Sequence, residues 1–90
     1  MSNDELIAQA RELCEKRVGE YQVTLDSFQE KSGEGYERTL ITHNAWTTHL
    51  AEMEELIKTI ESMNGKGIFS PIYFEELVTK AKRLLGVRNK

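Results

Sequence analysis

The stretch GEYQVTLDSFQEKSGEGYERTLITH, residues 19–43, decides how this chain folds. Tyr21, Val23 and Leu25 alternate with Gln22, Thr24 and Asp26, the period of a half-buried strand. Lys31-Ser32-Gly33-Glu34-Gly35 is turn material. Tyr36 to His43 then holds Thr39, Leu40, Ile41 and Thr42, residue types that favour strands. The stretch reads as an antiparallel β-hairpin over residues 20–43, in which Phe28 and Ile41 break the alternation and mark a bulge or an exposed apolar patch. A second reading runs the first helix on to Phe28 and starts another at Tyr36. Ile7, Ala10, Cys14, Val18, Tyr21, Leu25 and Phe28 do keep helical spacing. That all-α alternative, a three-helix hairpin or bundle, places Gly19 in mid-helix at a cost of about 1 kcal/mol. It also needs helices far longer than the mean of about 11–12 residues. The hairpin is therefore the expectation, with Gly19 as the left-handed stop of the first helix.

Working outward, residues 4–18 read as a helix capped by Asp4, with Leu6, Ile7, Ala10, Leu13, Cys14 and Val18 at helical spacing. Lys16 and Arg17 suit its last turn. Residues 45–63 read as a second helix, capped by Asn44 or Thr42 and ended by Asn64-Gly65. Its stripe is Trp46, Leu50, Met53, Ile57 and Ile60, widened by Leu56 and Met63. Residues 71–85 form a third, with Ser70 as N-cap, Pro71 at the first helical position and Gly86 as terminator. Phe69 and Phe74 are spaced as a hydrophobic staple. Leu77, Val78, Ala81, Leu84 and Leu85 supply its apolar face. Residues 86–90 are a basic tail. The expected fold is thus α+β, one small α-β-β-α-α domain whose hairpin packs on helices and keeps open edges for strand addition by a partner.

Composition narrows the function classes. Ninety residues exclude a Rossmann unit or a barrel enzyme. With 39% apolar and 30% charged residues and one Pro, the balance is that of an ordinary globular domain. The net charge of −3 argues against general nucleic-acid binding. The charge is uneven, however: Lys80, Lys82, Arg83, Arg88 and Lys90 fall in the last eleven residues with no acid. These five are the candidates for a weak phosphate or nucleic-acid contact. No apolar run is long enough to span a membrane. The acidic start, Met1-Ser2-Asn3-Asp4-Glu5, is unlike a signal peptide, and the single cysteine has no partner within the chain, so the expected location is the cytoplasm.

Chemistry-bearing motifs are sparse. His43 and His49 are separated by six residues, about 240° around a helix, and His49 with Glu52 supplies only two ligands, short of a closed metal site. Cys14 falls on an apolar stripe, where a thiol is structural rather than nucleophilic. Glu52, Glu54 and Glu55 read as a solvated face rather than a catalytic carboxylate pair. The glycines at 33, 35, 65 and 67 lack the strand, helix and Lys-Ser/Thr context of a phosphate loop. No catalytic residues, metal or cofactor are expected. Trp46 and the off-phase Phe28, Tyr36 and Ile41 are the candidate partner-binding residues, since Trp and Tyr concentrate in interface hot spots.

In texture, residues 4–63 resemble the head–tail joining protein W family of lambda-like phages. The resemblance lies in Glu5-Leu6-Ile7-Ala8-Gln9-Ala10-Arg11-Glu12-Leu13, then Gly19, then Tyr21-Gln22-Val23-Thr24-Leu25. A polar turn, Thr39 to Thr42 and the acidic Leu50-Ala51-Glu52-Met53-Glu54-Glu55-Leu56 follow. It implies an α-β-β-α unit, no enzymatic activity, and work as copies bound to a connector in the host cytoplasm or virion. That family ends soon after its second helix, where this chain has a third. The helical chorismate mutases share the length, and Arg11 and Arg38 would serve, but the remaining site partners are missing from matching positions. The expected function is a non-enzymatic protein-interaction module in an assembly, with a protein partner or a homo-oligomer and no membrane. The alternatives are a small inhibitor of a host enzyme complex and a helical, oligomeric ligand-binding protein or enzyme.

Overall fold

The computed structural model describes residues 2–86. They form three α-helices: α1 (Asn3–Ser27), α2 (Glu34–Gly65) and α3 (Pro71–Leu85). There is no strand among the described residues. The expected α+β hairpin over 20–43 is therefore not formed, nor is the α-β-β-α unit that the phage-protein resemblance implied. The chain adopts the all-α alternative. Gly19 continues α1 rather than ending it, and Thr42 and Asn44 lie inside α2 instead of capping it. At the start of α1 the cap is Ser2, whose hydroxyl accepts from the Glu5 amide, and not Asp4.

α1 and α2 accommodate their threonines locally, including Thr24, Thr39 and Thr42 of the expected hairpin. Thr24, Thr39, Thr42, Thr47, Thr48 and Thr59 each donate a hydroxyl hydrogen bond to the carbonyl four residues earlier, at 2.8–3.0 Å. This satisfies the hydroxyl without leaving the helix. Same-helix pairs add a few tenths of a kcal/mol each: Arg11 with Glu15, Arg17 with Glu20, Arg38 with Glu34, and Gln22 with Asp26. Packing between the helices contributes more than these local pairs. Carrying α1 past Gly19 lets it pack on α2, the helix it contacts most, and Leu25 is buried as well as Leu6, Ala10 and Cys14. The glycine cost of about 1 kcal/mol is small beside such burial.

Gly19 is exposed, and a methyl group there meets nothing within 4 Å. Gly19→Ala is expected to stabilise the protein by about 1 kcal/mol through helix propensity alone. Urea denaturation followed by circular dichroism checks this; a loss of stability would contradict a continuous α1.

The turn between α1 and α2 is held by its own side chains. Lys31 Nζ donates to the Leu25 carbonyl at 2.6 Å, which also accepts from the Phe28 amide at 3.3 Å, so the end of α1 is tied to the turn. Gly33, at φ 101°, takes a left-handed conformation that other residues resist and starts α2. The Phe28 and Tyr36 rings meet edge to face, 5.5 Å between centres. After α2, the chain turns through residues 66–70 and returns as α3, which matches the sequence expectation at both ends. Ser70 is the N-cap residue by its backbone, Pro71 opens the helix, and Gly86 closes it in the left-handed region.

At about 1.5 Å per residue, α1 and α2 are roughly 37 and 48 Å long and α3 about 22 Å. The short α3 therefore covers only the half of the α1–α2 pair that holds the chain's first helical turns. There Ala10 and Cys14 of α1, Met53 of α2, and Leu77 and Ala81 of α3 form the buried core. Ile7, Trp46, Leu50, Ile57, Ile60 and Leu84 pack around it. α3 lies mainly on α1, and its contact with α2 is the sparsest of the three helix pairs.

Candidate docking surface

The four apolar residues singled out from sequence are not brought together. Phe28 and Tyr36 clasp each other across the α1–α2 turn. Trp46 lies ten residues further along α2, half-buried against the core, with its ring edge-to-face with His49 at 5.9 Å. Ile41 is 69% exposed and stands alone on α2, about 140° around the helix from Trp46.

The basic candidates divide similarly. Lys80 Nζ lies 2.6 Å from Glu52 Oε2 and 3.2 Å from His49 Nδ1, and its side chain is only 19% exposed. Its charge is thus matched within the protein and ties α3 to α2. Lys82 is partly buried and Arg83 exposed. Arg88 and Lys90 lie outside the described residues.

Among the described residues Lys80, Glu52 and His49 are titratable groups that meet across α2 and α3. Burial pushes the Cys14 thiol up, more than nearby Lys80 pulls it down, which leaves a protonated core side chain. His49 faces Lys80, while neither ring nitrogen of His43 reaches solvent or a protein partner. Among the described residues no group of three or more His, Cys, Asp or Glu is placed to hold a metal ion. No helix among them is long and apolar enough to cross a membrane.

The hydrogen bond from Lys80, and then its charge, hold the Glu52 carboxyl below the ordinary carboxylate value of 4.5. A depressed carboxylate stabilises the fold above its unfolded value, and the contribution disappears as pH falls through the folded one. Glu52 is more than half exposed, so the contribution is at most about 1 kcal/mol. Glu52→Gln is expected to be less stable than the parent at pH 7 by up to this amount, with the gap closing below pH 4.5. Urea midpoints measured at neutral and acid pH check it; a gap that widens in acid would contradict the pairing.

Sequence reasoning missed the surface that the fold exposes. Among the described residues six large apolar side chains stand out to solvent, and four of them, Ile68, Phe69, Ile72 and Tyr73, fall within six residues at the corner between α2 and α3. Phe69 is 77% exposed, so the expected staple with Phe74 does not bury it, although the two rings and Ile60 line a common cavity of about 400 Å³. Ile72 lies roughly opposite the apolar face of α3, whereas Tyr73, four residues before Leu77, lies at the edge of that face. The phase mismatch of Ile72 is the signal in the sequence that marks it.

From this corner a groove runs between α2 and α3. One section, about 540 Å³, is floored by Leu56 and Ile72 and continues past Thr79 to Arg83. A second, about 320 Å³, shares Leu56 and adds Thr59 and Tyr73. Acids stand along both sides, Glu52 and Glu55 on α2 and Glu75 and Glu76 on α3, and outnumber the two bases of the lining, Lys80 and Arg83. The chain is thus a three-helix protein with an apolar corner opening into an acid-rimmed groove. Comparison with known proteins finds no matching family model, no similar curated protein and no similar solved structure.

Proposed function

We propose that this chain is a non-enzymatic protein-interaction module that holds its partner at the α2–α3 corner. The observation that supports this is the concentration of Ile68, Phe69, Ile72 and Tyr73 in one exposed place, beside a groove with an apolar floor. Scattered single apolar residues on a surface need no explanation, whereas a contiguous patch with a polar rim is the usual mark of a binding site. The core does not need these side chains, since it is complete with Met53, Leu77, Ala81, Ala10 and Cys14.

The test is site-specific photo-crosslinking in the native host. A photoreactive phenylalanine analogue replaces Phe69 in one variant and Ile41 in another. A discrete adduct from position 69 that is absent from position 41, and that Ile72→Glu abolishes, is the expected result. No adduct from position 69, or the same adduct from both positions, overturns the reading.

A further inference from the structure

We infer that the groove between α2 and α3 is the seat for a basic amphipathic helix of a partner protein, one with an apolar stripe flanked by Lys or Arg. This rests on the interaction-module reading and adds the chemistry of the partner.

The shape suits a helix. α3 packs mainly on α1 and makes the sparsest contact with α2, and Leu56 and Ile72 line the gap between α2 and α3. A groove between two helices accepts the side chains of a third at i, i+3, i+4 and i+7. The charge suits a basic one. Glu55, Glu75 and Glu76 form no ion pair or side-chain hydrogen bond among the described residues, and they stand on both sides of the apolar floor. Glu52 is matched by Lys80, and Arg83 is the other base of the lining, which leaves the acids in excess. Acids flanking an apolar strip complement a helix whose apolar stripe has bases on both shoulders.

The same charges argue against other occupants. Acidic rims repel the anionic surface of a membrane. A second copy of the chain does not supply the required helix. Outside the corner its exposed large apolar residues are Val23 on α1 and Ile41 on α2, single residues on different helices, so no described helix offers an apolar stripe with basic shoulders.

The probe is a synthetic helical peptide of about 15 residues, the length of α3, with leucine at i, i+3, i+4 and i+7 and lysine between. A matched peptide carries glutamate in place of each lysine. Binding to the full chain is followed by fluorescence anisotropy of labelled peptide, and the contact by amide shifts of the protein. The lysine peptide is expected to bind, shifting Leu56, Ile72 and Tyr73, and the glutamate peptide not to bind. Glu55→Lys with Glu75→Lys and Glu76→Lys, and separately Ile72→Glu, should each weaken binding roughly tenfold or more, while Ile41→Glu leaves it unchanged. All these positions are exposed, and a helical far-ultraviolet spectrum confirms that each variant folds; Ile72→Ala replaces Ile72→Glu if it does not. Equal binding of both peptides, no binding of either, or insensitivity to the groove variants overturns the inference. A dimer in sedimentation that Ile72→Glu dissociates also overturns it, by giving the groove to a second copy. If the peptide fails while position 69 still crosslinks one protein, the partner's chemistry is wrong and the interaction module stands.

Discussion

Met53→Ala is expected to cost about 3–5 kcal/mol, the upper part of the range for truncating a buried methionine. Met53 is completely buried and is one of the two largest side chains so enclosed. It is the only α2 member of a core whose other members are Ala10, Cys14, Leu77 and Ala81. The size of the effect follows from those neighbours. Two are alanines and one a cysteine, so none of these three carries the methylenes needed to reach into the space a lost side chain leaves. A cavity that cannot collapse forfeits dispersion contacts as well as the transfer free energy. A domain of about 90 residues has a total stability near 5–15 kcal/mol, so the variant sits close to unfolding at 25 °C. Met53→Leu, which nearly keeps the volume, should cost under about 1.5 kcal/mol. Equilibrium urea unfolding separates the two. A loss under about 1 kcal/mol for the alanine variant would mean that α3 is not seated on Met53.

Trp46→Ala is expected to destabilise by about 2–3 kcal/mol and to leave crosslinking from position 69 unchanged. Truncating a fully buried tryptophan costs roughly 3–5 kcal/mol, and Trp46 is half-buried, so the lower figure applies. The side chain packs against the core where the end of α3 meets α2, and its edge contact with His49 steadies the imidazole that faces Lys80. Trp46→Phe keeps a ring there and should lose about half as much. Because Trp46 is the only tryptophan, unfolding has to be followed by circular dichroism rather than by intrinsic tryptophan fluorescence. A variant that keeps its stability but loses its crosslinked partner would return Trp46 to the interface that the sequence had suggested.

The bounds of the third helix were legible, although Ser70 makes no side-chain cap and the Phe69–Phe74 staple does not bury Phe69. Ser70, Pro71 and Gly86 are local signals that act within one turn, and they hold at both ends of α3. Residues 19–43 were not, for a specific reason. Period-2 alternation in Tyr21–Asp26 coexists with a 3–4 spacing that runs from Ile7 to Phe28, and short-range propensity favours the strand. The hydroxyl bonds of Thr24, Thr39 and Thr42 to carbonyls four residues earlier show how β-branched residues are accommodated once packing has chosen the helix. The off-phase test that picked out Phe28, Tyr36 and Ile41 was sound for surface residues of a hairpin. In a helical pair, two of those three lie at the turn and face each other.

By itself, then, the sequence determined the three apolar stripes, the span of α3, the structural character of Cys14 and the absence of a recognisable catalytic motif, because each depends on neighbours within a turn or two of chain. Tertiary structure alone decided whether Gly19 stops or continues a helix, since only contact between α1 and α2 outweighs the local cost. It also decided which apolar residues stay outside. A helical stripe says which side of α3 is buried, but not that the buried contact falls mainly on α1. The groove beside Leu56 and Ile72 lies at the sparser contact, between α2 and α3.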